Sequence, residues 1–200
     1  MRDLNQLLLN FEYKQNFKDE DFYVSKSNYF AFNLIDSWPK WEKNFLNISG
    51  DKFSGKSHLA NIFLKKFKGI KIDANTFKNE KLHEIKVHEN IILENFDQNI
   101  DEVLIYTLFN LIDNDNKYLI INSNIPINEM DFKLNDLKSR TKNCLFAVIE
   151  KPDDDLMFAL ILKNFSDRQI TIDKKLIDFI IKRIDRSYSK IFEFIYKIDE

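Results

Sequence analysis

The stretch Ile48-Ser-Gly-Asp-Lys-Phe-Ser-Gly-Lys-Ser57 decides the fold. It holds Gly50 and Gly55, two of only three glycines among 200 residues. It follows an apolar run, 44–49, that reads as a buried strand, and it opens an amphipathic helix over 56–67. Gly50-x-x-x-x-Gly55-Lys56-Ser57 fits the spacing of a phosphate-binding loop. The backbone of such a loop curls so that several N–H groups point at phosphate oxygens, and side chains at the glycine positions obstruct that curl. The helix beginning near Lys56 contributes its positive end. Lys56 brings a point charge for the β- and γ-phosphates, and Ser57 a hydroxyl for Mg2+. An ordinary glycine turn is the competing reading, and it accounts for neither the four fixed positions nor the flanks.

Outward from the loop, short apolar runs at 69–74, 90–96, 117–123 and 144–150 read as further strands. Helical patterns at 101–113 and 134–140 separate them. A helix is predicted between Ser27, as N-cap, and Pro39, as its stop. Beyond Pro152 the strands end and three helices follow, the first starting at Pro152 with Asp153, Asp154 and Asp155 in its first turn. Alternating strands and helices imply a parallel sheet covered on both faces. The expected organisation is an arm over 1–24, a nucleotide-binding α/β core over 25–151 and a helical tail over 152–200.

The phosphate loop calls for an acid at the end of a neighbouring buried strand, as partner for Mg2+. "IILEN" supplies Glu94. Asn95 follows where a second acid is expected; an amide does not accept a proton at neutral pH. Asp97 can substitute if the chain bends. Only five of the 30 basic residues are Arg, at positions 2, 140, 168, 183 and 186. Planar bidentate contact with phosphate favours Arg over Lys, so Arg140 and Arg186, after strand and helix ends, are candidates for phosphate. Arg140 can act in trans as an arginine finger. For Arg168 and Arg183 a surface ion pair is an equal reading.

Composition excludes several classes. The formal net charge of -2 argues against a dedicated polyanion binder. A single cysteine, Cys144, permits no intramolecular disulfide and suits a reducing compartment. The amino terminus does not read as a secretory signal and no apolar window approaches a membrane span, so a soluble cytoplasmic protein is expected. His58, His83 and His88 lack metal-ligand spacing, and "DNDN" at 113–116 lacks the glycine and later Glu of a calcium loop. Trp38 and Trp41 are expected to pack a helix end, and Cys144 to be buried and inert.

Six segments together resemble a known family: "NFLNISGDKFSGKSHLANIF", "IILENFD", "LIINSNIP", "LNDLKSRT", "KPDDDLMFALILKNFSDRQITID" and "RIDRSYSKIFEFI". They are similar to the ATPase core of the DnaA family of replication initiators, and within it to the Hda branch, which lacks a DNA-binding domain. The resemblance implies a P-loop NTPase fold of the AAA+ type, a five-stranded parallel sheet between helices followed by a small all-α lid. It implies ADP or ATP and Mg2+ as cofactors. Gly50, Asp51, Lys52, Phe53, Ser54, Gly55, Lys56, Ser57 and His58 match the Walker A region. Glu94 and Asn95 fall on Walker B, and Ser123 with Asn124 on sensor 1. Arg140 matches the box VII arginine, which acts on nucleotide held by a neighbouring subunit. Arg186 matches sensor 2, and Phe22 to Val24 the segment that frames adenine. Two departures stand out: Phe53 occupies a position where many members have a third glycine, and Asn95 replaces the second acid.

"QLLLNF" at 6–11 resembles the peptide that docks on the DNA polymerase sliding clamp, with Gln6 at a pocket rim and Leu7, Leu9 and Phe11 in an apolar groove. The resemblance implies DnaA and the sliding clamp as partners, leaves a homo-oligomer open, and implies no sequence-specific duplex DNA binding and no membrane association. Three functions stay open on these residues. One is an Hda-like regulator that stimulates ATP hydrolysis on DnaA. The others are an autonomous DnaA-like or loader-type ATPase, and an adaptor that binds nucleotide without hydrolysing it.

Overall fold

The computed structural model describes residues 22–199, so the clamp-like stretch with Gln6, Leu7, Leu9 and Phe11 lies outside the described residues, as does Arg2. Five strands, β1 (Phe45–Gly50), β2 (Ile70–Asp73), β3 (Asn90–Phe96), β4 (Tyr118–Ser123) and β5 (Leu145–Ile149), form one sheet in the order β2-β3-β4-β1-β5. Every pairing is parallel. The helices are α1 (Tyr29–Asp36), α2 (Lys56–Phe67), α3 (Lys81–Ile85), α4 (Glu102–Asn114), α5 (Asn135–Thr141), α6 (Asp154–Asp167), α7 (Lys174–Ile181) and α8 (Tyr188–Asp199). The expected α/β fold is present; the five-residue α3 was not legible in the sequence.

The central strands carry near-continuous apolar runs because both their faces are covered. All of β1 is buried, and only Asn95 of β3 is exposed. The pleat sends alternate residues to opposite cores. Leu46, Ile48, Ile92 and Ile120 pack with Leu59 and Phe63 of α2 and with Ala31 and Ile35 of α1. Phe45, Leu93, Leu119 and Ile121 pack with Leu104, Leu108 and Phe109 of α4 and Leu137 of α5. A third cluster lies within α6, α7 and α8, around Met157, Ile161, Ile177, Ile191 and Ile195. Trp38 and Trp41 pack on Phe63 and Tyr118.

One buried polar residue ties β1 to β4. Asn47 is fully buried, its Nδ2 donates to the Ile121 carbonyl and to Ser123 Oγ, each at 2.9 Å, and its Oδ1 accepts from the Ile127 N–H at 3.0 Å. The loop after β4 is thereby fastened to the strand that precedes the glycine loop.

Two expected helix starts are corrected. Ser27 is not the cap of α1; Asn28 holds that position, with its Oδ1 accepting from the Ser25 N–H at 2.8 Å. Ser27 is engaged elsewhere: its N–H donates to Asp153 Oδ2 at 3.3 Å and its carbonyl accepts from the Glu150 N–H at 2.9 Å. The chain before α1 is thus stitched to the connection after β5. Nor does α6 begin at Pro152. Asp153 caps it, accepting from the Leu156 N–H at 2.9 Å, and Pro152 stands just outside.

Candidate functional site

A cleft of about 590 Å³ opens at the carboxyl ends of the strands, between the glycine loop and the inner side of α6 and α8. In open parallel sheets this is where ligands bind. Its floor comes from β3 and β4, and the strand order explains the layout. β4 lies between β1, which leads into the loop, and β3, which carries Glu94.

The loop turns on two left-handed residues. Gly55 has φ +96° and is the cap position of α2; a Cβ there would stand 3.2 Å from the Phe22 ring. Gly50 is required by close approach, because a Cβ would lie 2.9 Å from the Ile149 carbonyl oxygen. Phe53 has φ +67°, a conformation that costs a non-glycine residue roughly 1–2 kcal/mol. The third glycine of related loops has a reason here: the backbone is left-handed and Phe53 tolerates it. The Phe53 ring lies 5.2 Å from that of Phe192 on α8, with Lys52 Nζ 5.1 Å from its centre.

Lys56 Nζ donates to the carbonyls of Gly50 at 2.6 Å and Asp51 at 2.9 Å, so the ammonium is held inside the loop. Burial pushes its pKa below the ordinary lysine value, while the charges of Glu94 and Asp51 oppose that shift. Ser57 Oγ donates to Glu94 Oε2 at 2.9 Å. Glu94 is buried, and its Oε1 has no hydrogen-bond partner among the described residues; nor has the buried Oγ of Ser54. The hydroxyl and carboxylate singled out in the sequence therefore meet, with oxygens to spare, beneath the loop. Phe22 closes one side, edge-on to His58 at 5.2 Å and stacked on Phe32 at 5.9 Å.

Asn95 behaves differently from its neighbour. It has φ +57° where the β3–β4 register slips between Leu93 and Phe96, and it is exposed. Its Nδ2 donates to Asp73 Oδ2 at 2.7 Å, at the end of β2. Hydrogen bonds from the Asn75 N–H and from Asn95 hold the Asp73 carboxyl below the usual carboxylate range. Asp97 lines the cleft, but its Oδ1 accepts from the Asn99 N–H at 2.7 Å in a local turn. Ser123 is engaged structurally, donating to the Ile125 carbonyl at 2.6 Å, whereas Asn124 is exposed at the cleft.

No family model matches the chain. The chromosomal replication initiator DnaA of Borreliella afzelii is 26% identical over 198 residues, an alignment covering 86% of this chain and 41% of that protein. The chain is homologous to DnaA. It spans about two fifths of the length of the curated DnaA relatives it matches. AMPPCP-bound DnaA from Aquifex aeolicus superposes with a TM-score of 0.74 at 20% identity, covering 93% of this chain and 66% of that one. RuvB of Thermotoga maritima superposes with a TM-score of 0.71 at 10% identity, covering 92% and 64%. At such identities the structural likeness speaks for the fold, that of AAA+ P-loop NTPases.

On this DnaA-like core, several residues proposed from sequence stand apart from the cleft. Val24 lines an adjoining shallow groove with Tyr29 and Asp155. Arg186, the sensor 2 candidate, pairs with Asp154 at 2.7 Å, both side chains more than half exposed, and is not among the cleft residues. Arg140 lies at the end of α5, also outside the cleft. It forms an ion pair with Asp113 on α4, and its guanidinium lies 5.3 Å from the Tyr106 ring. Arg183 stacks on Phe179 at 3.5 Å. Gly50 and Asp51 support the loop from behind through their carbonyls rather than lining the cavity.

The DnaA-like cleft also contains residues that sequence reasoning passed over. Leu160, Lys163, Asn164 and Asp167 line it from α6, and Tyr188, Phe192 and Tyr196 from α8. Helical spacing placed these residues on helices without saying which face met the loop. Asn122, on the floor, was read only as part of an apolar strand; its one signal was polarity at the strand's end.

Proposed function

We propose that this chain is an Hda-like regulator of replication initiation. It binds ADP or ATP with Mg2+ in the cleft and docks on the DNA polymerase sliding clamp through residues 6–11. It stimulates ATP hydrolysis by DnaA through Arg140. The observation that carries the nucleotide part is the 2.9 Å contact between Ser57 Oγ and Glu94 Oε2, under a loop whose residues 52–58 line the same cleft. AMPPCP in a DnaA of the same fold supports an adenine nucleotide.

The residues present fit the cofactors. A buried carboxylate with one oxygen unpaired, beside a hydroxyl, offers the hard oxygen donors that Mg2+ prefers. Among the described residues no cluster of three His, Cys, Asp or Glu side chains could hold a metal alone. That suits an ion which enters with phosphates and keeps several waters. Ser57 and Glu94 would hold it, and it would neutralise phosphate charge. Lys56 exchanges the Gly50 and Asp51 carbonyls for phosphate oxygens. Phe22 and Tyr23 wall the cleft for the base.

In this reading residues 25–151 form the nucleotide-binding core, residues 152–200 its lid and residues 1–24 the clamp-binding arm. The protein works in the cytoplasm. Arg140, away from the chain's own cleft, serves nucleotide bound on DnaA. The chain's own turnover is slow, because Asn95 has an amide where an acid is needed and directs its N–H to Asp73. A low-turnover regulator is thus favoured over an autonomous ATPase.

The test is a DnaA ATPase assay with the DNA-loaded clamp. The wild-type chain is expected to accelerate phosphate release, and Arg140→Ala to abolish that acceleration while nucleotide binding to the variant persists. Full stimulation by Arg140→Ala overturns the proposal. Steady phosphate release by the isolated chain, lost in Glu94→Gln, transfers the assignment to an ATPase in its own right.

A further inference from the structure

The helix that carries Arg140 is fastened at both ends by its neighbour. Glu102, in the first turn of α4, accepts from the Lys133 N–H at 2.9 Å and from the Leu134 N–H at 2.7 Å, where the chain enters α5. Asp113, in the last turn of α4, forms the ion pair with Arg140, in the last turn of α5. The Tyr106 ring stands 5.3 Å from the same guanidinium. Glu102, Tyr106 and Asp113 fall at i, i+4 and i+11, one stripe of a helix with 3.6 residues per turn.

The ion pair is not what seats α5. Leu137 is buried in the core with Leu104 and Leu108 of α4, Thr141 is buried, and Glu102 hooks the backbone at the other end. Arg140 and Asp113 are both partly exposed, and a pair of that kind adds little to stability. What it fixes is a side chain that would otherwise sample many rotamers. Asp113 Oδ2 accepts from Arg140 Nη1, and the ring of Tyr106 attracts the cation. Nε and Nη2 have no hydrogen-bond partner among the described residues. The guanidinium is thus held at one corner with donors to spare, and the edge formed by Nε and Nη2 can grip two phosphate oxygens at once.

We propose that Asp113 and Tyr106 are positioning residues for Arg140. They set the guanidinium in advance and leave its Nε–Nη2 edge for a nucleotide held by a neighbouring molecule. The inference rests on the reading that Arg140 acts on ATP bound to DnaA. The charge of Asp113 opposes an incoming triphosphate, so its contribution is the hydrogen bond it accepts from Nη1. An amide oxygen accepts the same bond.

The experiment measures DnaA ATP hydrolysis with the DNA-loaded clamp against increasing concentrations of the full chain, for wild type, Asp113→Leu, Asp113→Asn, Tyr106→Leu and Arg140→Ala. Ordering an arginine before the reaction rather than during it is worth about a decade of rate. The maximal stimulated rate of Asp113→Leu is therefore expected to fall about tenfold, and that of Tyr106→Leu about threefold. Asp113→Asn is expected to keep the rate within about threefold of wild type. The concentration giving half-maximal stimulation should hold within about twofold, because a residue acting on the transition state moves the maximal rate. The Tm of Asp113→Leu should stay level. An Asp113→Leu rate within about twofold of wild type overturns the inference. A rate above wild type does so too and means that the pair withholds Arg140. A fall as deep in Asp113→Asn, or a marked fall in Tm, also refutes it. Tyr106→Leu decides the matter if Asp113→Leu does not fold, an unchanged rate again refuting. Loss of stimulation in Arg140→Ala with none in the other variants rejects this inference alone. Full stimulation by Arg140→Ala rejects the reading beneath it, and this inference with it.

Discussion

The same substitution at two buried asparagines should have opposite effects. Asn47→Leu removes three hydrogen bonds, of 2.9, 2.9 and 3.0 Å. The Ile121 carbonyl has a second lone pair and Ser123 Oγ keeps its bond to the Ile125 carbonyl, so those partners lose little. The Ile127 N–H, in a residue with no exposure, loses its acceptor among the described residues. Leaving such a donor unmatched, with the other bonds gone, should cost about 2–4 kcal/mol. For a chain of this size that lowers Tm by about 5–15 °C. Asn122→Leu, where the amide has no partners to break among the described residues, should not lower it. Thermal and urea denaturation of both variants, followed by circular dichroism, measures the contrast. Equal Tm values for Asn47→Leu and wild type would refute the reasoning. They would mean that the loop after β4 relaxes enough to give Ile127 another acceptor, and that hydrogen-bond accounting does not separate structural from cleft-lining amides here.

Phe53→Gly should relieve about 1–2 kcal/mol of left-handed strain and forfeit about 0.5–1.5 kcal/mol of ring contact with Phe192. Tm should therefore move by only about 3 °C, while hydrogen exchange in α8 accelerates, and unchanged exchange there would deny that Phe53 fastens the loop to α8. Asp73 has a folded pKa below its unfolded one, so its contribution is present above about pH 4 and is lost as pH falls through the folded value. Asp73→Asn should accordingly flatten the acid limb of the stability–pH curve, measured by urea denaturation between pH 3 and pH 6 (roughly the carboxylate range). Burial pushes the Cys144 thiol up to about 12, with Lys43 lowering it and Asp113 raising it. A thiol reagent at neutral pH should label Cys144 only as fast as the protein unfolds, and rapid labelling of the native chain would contradict its burial.

What the sequence determined by itself was local. Gly50, Gly55, Lys56 and Ser57 were legible because their geometry depends on a few consecutive dihedrals and one strand-to-helix junction. Glu94 was legible because the phosphate loop calls for an acid at the end of a neighbouring buried strand, and the alternation of runs carried the parallel sheet. Phe53 could be marked as a departure, although only the structure gave its reason, a φ of +67°. The rest depended on which strands are neighbours. Placing β4 between β1 and β3 turns Asn122 from a strand residue into the floor of the cleft. Placing β2 beside β3 lets Asp73 capture Asn95. Ser27 looked like a helix cap until the chain return at Glu150 and Asp153 claimed its backbone. Arg186 matched a motif but its partner, Asp154, lies 32 positions away in sequence and was invisible to spacing. Spacing along a chain encodes turns, caps and faces; it does not encode sheet order, because strand adjacency is settled by packing between segments that the sequence keeps far apart.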